Sequence, residues 1–286
     1  MIFPREVPSP AEVASHYDEL DWFYRDAWGE HLHHGYWKLG SESATAAIVQ
    51  LQQEVADLAE IRPGDQVCDI GCGYGAAAMS WAKTRGAMVT GITISERQWE
   101  DASRRARQLG PKIPRPSFLH GDWLENSLKS NHFDAVVSIE CLSHVENKPR
   151  FLEEASRVVK PGGAIALCVW TARRNVPRWA ERRLLEPICR EGRFAGLATR
   201  EELEKLIAAS GMQIESLQEI GPEVKKTWRV IFGRLVKRVL MRREYREFLW
   251  KQLCGDRRLV FTVLRVWIAF EAGMLNYALV KARLPV

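Results

Sequence analysis

The sequence predicts an α/β protein: a doubly wound, mostly parallel sheet with a helical cap. Three observations carry that expectation. A strand-like run, Gln66 to Ile70, leads into the alternating glycines Gly71, Gly73 and Gly75 and then into an Ala-rich helix starting near Ala76. From there to Trp170, apolar strand-like runs and helical patterns alternate, the signature of a parallel sheet wrapped by helices. Beyond Trp170 that alternation gives way to a mostly helical region.

The elements follow in order. A helical pattern from Ala44 to Leu58 precedes the first strand. The second strand, Ala87 to Ile92, ends at Thr93-Ile94-Ser95, where a helix from Glu96 to Leu109 begins. The third, Ser117 to His120, delivers Gly121-Asp122-Trp123. The fourth, Phe133 to Ile139, ends at Glu140-Cys141-Leu142-Ser143-His144, and a helix from Lys148 to Val159 follows. Lys160-Pro161-Gly162-Gly163 then turns the chain into a fifth strand, Ala164 to Trp170.

Strand C-termini in such a sheet face the ligand crevice, so the residues just past each strand indicate the ligand. Alternating glycines let the backbone turn tightly and lie close to it. The spacing is G-x-G-x-G, unlike the G-x-G-x-x-G of a dinucleotide site, and Asp69 stands two positions before the first glycine. An acid there repels a pyrophosphate but suits a cationic amino group, which points to S-adenosylmethionine. Thr93 and Gln98 are placed to reach a ribose or a carboxylate. Asp122 and Trp123 suit an adenine amine and ring face, and Ile139 completes the nucleotide site at the end of the fourth strand.

At this point the chain resembles a known family. Asp69 to Gly75, Gly91-Ile-Thr-Ile-Ser95, Gly121-Asp-Trp123, Phe133 to Glu140 and Pro161-Gly-Gly163 are similar to the ordered motifs of class I S-adenosylmethionine-dependent methyltransferases. The run His16-Tyr17-Asp18 through Tyr24, with Trp28-Gly-Glu-His-Leu-His-His-Gly-Tyr-Trp37, resembles the entry segment of the γ-tocopherol methyltransferase-like branch. The resemblance spans nearly the whole chain, to the closing Ala278 to Pro285, and extends to cyclopropane fatty acid synthases and prenyl diphosphate C-methyltransferases. It implies a seven-stranded Rossmann-like methyltransferase sheet. The implied organisation is an N-terminal helical lid (1–42), a nucleotide-binding core (43–170), a mostly helical cap (171–273, with core elements near 199–220) and a closing strand (274–286). It also implies that the entry segment folds over the cofactor, so that His34, Gly35 and Tyr36 line its mouth.

Glu140 and His144 lie just past the fourth strand, where the methyl acceptor belongs, and are the expected catalytic pair. Transfer from a sulfonium is an in-line displacement, so it needs positioning, and a phenolic or ring-carbon acceptor also needs a base. Tyr17 and Tyr24 in the lid, with Trp170 and Trp228, are the expected substrate contacts. The tocopherol branch has Glu-Ser-Gly-Glu-His where this chain has Glu140-Cys141-Leu142-Ser143-His144, so its second acid is replaced by Ser143. Cyclopropane synthases rely on a carboxylate at that position, so the departure weakens both assignments. His31, His33 and His34 invite a metal reading, but no further residues at ligand spacing accompany them, and no metal is expected.

Composition narrows the class. The 286 residues suffice for one large α/β domain with a cap. The six cysteines contain no C-x-x-C pair and read as reduced thiols of a cytoplasmic protein. No apolar run reaches the roughly 18 residues of a membrane span, and no signal peptide is read at the start. Charge is uneven: between Pro222 and Arg258 twelve Lys or Arg meet four acids, with apolar residues at helical spacing, which predicts a basic amphipathic helix. An interfacial patch for anionic lipid, a diphosphate pocket and a merely solvated helix face all remain open for 222–258. A nucleic-acid substrate is not expected, because Glu140-Cys-Leu-Ser143 lacks the Asp/Asn-Pro-Pro-aromatic tetrad and Pro187-Ile-Cys189 has the wrong spacing for a base-methylating Pro-Cys. The sequence reading is a methyltransferase acting on a hydrophobic small molecule, first on carbon of a prenylated quinol or isoprenoid. N- or O-methylation of a soluble amine or phenol stands second, and a non-catalytic S-adenosylmethionine-binding interaction module third.

Overall fold

The computed structural model describes residues 1–254 and 259–286; Arg257 and Arg258 of the basic segment lie outside the described residues. Short apolar runs bounded by glycine, proline and polar turns form the strands: β1 (Gln66–Ile70), β2 (Met88–Thr93), β3 (Ser117–His120), β4 (Phe133–Ile139), β5 (Val159–Ala172), β6 (Gln213–Glu219) and β7 (Leu275–Arg283). They make one sheet in the order β3-β2-β1-β4-β5-β7-β6. The first five pair in parallel, and β7 runs antiparallel between β5 and β6. Asp69 lies level with Gly91 on one side and Val137 on the other, so β1 and β4 flank the point where strand order reverses. A ligand crevice opens at such a point. The predicted doubly wound α/β fold is the observed one.

The helices are α1 (Pro10–Glu19), α2 (Asp21–Ala27), α3 (Ala44–Leu58), α4 (Ala76–Arg85), α5 (Glu96–Ala106), α6 (Lys148–Val158), α7 (Arg178–Ala180), α8 (Glu186–Glu191), α9 (Arg200–Ala209), α10 (Gly221–Val224), α11 (Lys226–Met241), α12 (Arg243–Cys254) and α13 (Leu259–Glu271). A π-helical turn, Glu181–Leu185, joins α7 to α8. One apolar core packs α3, α4, the lid and the cap around Trp81, Phe23 and Tyr277. A second packs α6 and α9 on the opposite face around Phe133, Phe151 and Leu152.

The sequence reading misses two boundaries by three residues or more and others by one or two. Helix α5 stops at Ala106, because Gln108 and Leu109 tighten into three-residue turns on Arg105 and Ala106 ahead of Gly110-Pro111. Strand β5 starts at Val159 rather than Ala164, since Gly162 and Gly163 exchange backbone hydrogen bonds with Leu284 beside β7.

The lid is tied to the core by local chemistry. A capping box between Ser9 and Glu12 starts α1, with Pro10 in its first turn. Ser95 donates to Asp18 at 2.5 Å, and Tyr74 donates to Asp21 at 2.6 Å. Asp26 in α2 accepts from Arg238 and from Tyr245 (2.5 Å), which joins lid to cap. Among the described residues no helix is long and apolar enough to cross a membrane, and Cys68, Cys72, Cys141, Cys168 and Cys189 are free thiols.

Candidate active site

A cavity of about 330 Å³ opens where β1, β2 and β4 end, under the lid and against the cap. Its donor half is built by strand-end residues. Asp69 is 2 % exposed, its Oδ2 has no hydrogen-bond partner, and burial pushes its carboxyl up to about 7. Gly71 turns the chain at φ +73°, and a Cβ there would sit 2.5 Å from Cys141 Cβ, so only glycine fits. Gly73 faces open space on the cavity wall. Thr93 Oγ1 donates to Gln98 Oε1 at 2.9 Å and accepts from the Ser95 N–H, so the two predicted residues stand together on the wall. Asp122 accepts from the Leu124 N–H (2.9 Å), Trp123 Nε1 donates to the Phe151 carbonyl (3.1 Å), and both line the cavity beside Ile139.

Three expected cofactor contacts lie off that wall. Gly75 caps α4 in the left-handed region, and its Cα faces the Phe118 ring, which a Cβ would meet at 2.4 Å. Gly35 packs against the Trp37 ring and Ala47, its N–H taken by Thr227 Oγ1 at 3.1 Å. Tyr36 is buried in the core with its N–H on the Ala47 carbonyl. Packing claims all three. Only His34 of that triplet reaches the cavity.

His34 is held by a network that also captures Glu140. The indole of Trp228 can only donate, so its 2.7 Å contact makes His34 Nε2 an acceptor and places the ring proton on Nδ1. That Nδ1–H and the His34 backbone N–H both reach Glu140 Oε1 at 2.8 Å. Tyr277 donates to the same oxygen at 3.0 Å, and Trp170 Nε1 to Oε2 at 2.8 Å. Burial opposes ionisation of Glu140, but His34 outweighs it and holds the carboxyl down at about 2. A carboxylate whose oxygens already accept from four donors is poorly placed to take a further proton from an acceptor. In this geometry Glu140 anchors His34, Trp170 and Tyr277, on a backbone held at φ +65°.

His144 has the opposite character. Its Nδ1 faces the Arg193 carbonyl at 2.9 Å and must carry the proton, which leaves a lone pair on Nε2. Burial pushes the ring down to about 4, so it is neutral at physiological pH. The Tyr17 hydroxyl donates to Nε2 at 3.0 Å, and burial raises the pKa of that phenol. Tyr24 lies beside it, with its hydroxyl 2.8 Å from His16 Nε2. Tyr17, Tyr24, His144, Trp170 and Trp228 all line the cavity.

Sequence reasoning missed much of the acceptor half. Phe23, Trp28, Phe194, Val263 and Val266 supply its apolar wall. Tyr24 and Trp28 stand four apart and announce a shared helical face, whereas Phe194, from a cap loop, gives no local signal. His31 Nδ1 and His33 Nε2 both accept from the Gln52 amide, at 2.7 and 3.1 Å. Among the described residues no three potential ligands are grouped for a metal.

S-adenosylmethionine, which the motifs imply, fits the donor half. An orphaned buried carboxylate oxygen matches a cationic amine, open backbone at Gly73 admits close approach, and Thr93, Gln98 and Asp122 offer polar groups. A methyltransferase domain model matches residues 68–167. The 27-O-demethylrifamycin SV methyltransferase of Amycolatopsis mediterranei is 32% identical over 77% of this chain and 80% of its own length. The 2-methyl-6-phytyl-1,4-hydroquinone methyltransferase of Synechocystis is 27% identical over 99% of this chain and 90% of its own. The cyclopropane synthase MmaA2 of Mycobacterium tuberculosis superposes with a TM-score of 0.84 at 19% identity, covering 98% of this chain and 99% of that one. With the motifs, the sheet order and these relatives together, the chain belongs to the class I S-adenosylmethionine-dependent methyltransferases.

Proposed function

We propose that this enzyme methylates a hydroxyl-bearing hydrophobic small molecule of the prenylated phenol or quinol class, with His144 as the general base. The observation that carries the reading is His144 on the cavity wall, its Nδ1 tied to the Arg193 carbonyl and its Nε2 accepting from the Tyr17 hydroxyl, with burial favouring the neutral ring. Bound S-adenosylmethionine supplies an electrophilic methyl group; the protein's own residues do the rest. Asp69 holds the donor's ammonium, and Thr93, Gln98, Asp122 and Trp123 hold its nucleoside end. Trp28, Phe194, Trp228 and Val266 hold the acceptor's apolar body and exclude water. His144 Nε2 takes the acceptor's hydroxyl proton, which makes both the oxygen and its ortho ring carbon nucleophilic.

The geometry thus moves the emphasis from the ring carbon alone to the hydroxyl. The relatives' names support it: one acts on an O-demethyl compound, the other on a hydroquinone with a phytyl chain. Tyr17 supports the reading, because its own phenol makes the kind of hydrogen bond to Nε2 that the proposal assigns to the acceptor hydroxyl.

The test is turnover on a panel of prenylated quinols and phenols, with soluble amines as controls, for wild type and His144→Asn. The expected result is methylation of the quinols, a kcat lowered by about 10²–10³ in the variant and unchanged affinity for S-adenosylhomocysteine. The position of the new methyl group in the product separates oxygen from carbon attack. Full turnover by His144→Asn, or activity confined to amines, would overturn the assignment.

A further inference from the structure

Helices α11 and α12 meet at a corner at Arg242. The inner face of α11 buries Thr227, Trp228, Ile231 and Leu235, and Thr227 and Trp228 reach the cavity. Its outer face does the reverse. At its last turn Leu240 is 74 % and Met241 72 % exposed, and Trp250 on the outside of α12 is 69 % exposed. Arg246 donates to the carbonyls of Val239 (3.1 Å) and Leu240 (3.3 Å), which holds that face of α12 against the end of α11. Large apolar side chains are therefore exposed on both helices that form the corner, and such exposure marks a contact surface.

What surrounds the corner specifies the partner. Between Val236 and Lys251 six basic residues stand against two acidic ones. Arg243 pairs with Glu247 within the helix, and Arg242 bridges Asp26 and Glu244. Exposed Lys237 and Lys251 have no ion-pair partner among the described residues. An apolar tip containing tryptophan, inside a basic fringe, is complementary to an anionic bilayer: the apolar groups enter the headgroup–acyl boundary while ammonium and guanidinium groups meet phosphates. We propose that this corner docks the enzyme on an anionic lipid surface. Thr227 and Trp228 at the start of α11, with Val263 and Val266 of α13, line the acceptor half of the cavity, so one helix runs from that chamber to the corner.

The proposal is tested by floating the full-length protein with vesicles of phosphatidylcholine alone and of phosphatidylcholine with one-third phosphatidylglycerol. Binding to the anionic vesicles should exceed binding to neutral ones by about tenfold or more and should fall with added salt. Leu240→Ser/Met241→Ser/Trp250→Ser should reduce it about tenfold at unchanged thermal stability. Lys237→Gln/Arg243→Gln/Lys251→Gln should remove most of its salt dependence. Absent or charge-indifferent vesicle binding by wild type overturns the proposal, as does full binding by the apolar triple variant. So does a concentration-dependent dimer that the apolar triple variant dissolves, because the corner then belongs to a second copy. These readouts do not depend on turnover and stand apart from the function proposed above.

Discussion

Around the donor half of the cavity, Asp69, Gly71, Thr93 and Asp122 stand at or just past the ends of neighbouring strands, and the sheet's register alone brings them together. Around the acceptor half, Tyr17, His144, Phe194 and Trp228 come from the lid, a 3-10 turn, a cap loop and a cap helix. The first half is a backbone construction with one exact turn at its centre. The second is a side-chain construction, joined by hydrogen bonds across more than a hundred residues of chain, such as His34 to Glu140 and Trp228 to His34. Substitutions should therefore fail in different ways: abruptly in the donor half, and by graded loosening in the acceptor half.

The largest effect is expected from Gly71→Ala. The new Cβ would have to occupy space 2.5 Å from Cys141 Cβ on backbone at φ +73°, so the strand-to-helix turn must deform. Loss of detectable S-adenosylhomocysteine binding by calorimetry is the expected outcome, with destabilisation of about 2–4 kcal/mol in chemical denaturation. Adding Cys141→Gly removes the clash but leaves the positive φ, so it should restore only part of the stability. Near-wild-type binding by the single variant would show that the donor half is less rigid than its backbone geometry indicates.

Glu140→Gln probes the network in the other half. An amide has one acceptor oxygen where the carboxylate has two, and its NH2 would confront donors from Trp170 or from His34 and Tyr277. Destabilisation of about 2–3 kcal/mol is expected, with the kcat loss following from displaced His34 and Trp170. The sign of the pH dependence follows from a depressed carboxyl. The ion's contribution is present above the ordinary carboxylate range and is lost as pH falls toward about 2, so wild type and variant should converge in acid denaturation. A variant with wild-type stability but no turnover would return Glu140 to the chemistry.

These two residues also show what the sequence discloses. The donor half was legible because its residues are contiguous: a strand, an acid, alternating glycines and a helix form one local pattern, and the same holds at Thr93 and Asp122. The seven-stranded, mostly parallel sheet with a closing strand was implied by the resemblance that these motifs carry, while the strand order and the antiparallel run of β7 are seen only in the structure. Glu140 was found by position, but its network was not legible, because the donors that engage it come from residues 34, 170 and 277. Gly35, Tyr36 and Gly75 were placed near the right loops, but the neighbours that turn them into packing elements are distant in sequence. Phe194, Val263 and Val266 join the wall only through tertiary packing, which no local periodicity encodes.

Asp69 tests the donor side through charge rather than backbone, with a smaller effect that pH titrates. Its folded pKa of about 7 lies above the ordinary value near 4, because burial favours the protonated acid. Stability of the ligand-free protein should fall as pH rises from about 4 through 7, because the buried carboxylate then ionises without a partner. Affinity for S-adenosylhomocysteine should rise over the upper part of the same window, as the ion becomes available to the ammonium. Asp69→Asn should bind about tenfold or more weakly and show a flat profile between pH 5.5 and 8. A wild-type profile already flat over that interval would mean that Asp69 does not meet the ammonium.

The smallest effect belongs to Tyr17→Phe, and its direction is the informative part. The Tyr17 hydroxyl donates to His144 Nε2 at 3.0 Å, which is the bond an acceptor hydroxyl must make for its proton to be taken. Ligand and lid phenol therefore compete for one lone pair. Removing the lid's hydroxyl leaves the ring packing against Tyr24 and His144 while freeing Nε2. KM for a quinol should then drop about two- to fivefold with kcat nearly unchanged, since one neutral hydrogen bond contributes about 1 kcal/mol net. A lowered kcat at constant KM would instead make Tyr17 a working part of proton transfer. The acceptor half would then be a two-residue relay through His144 rather than a single base waiting under a phenol that keeps its place.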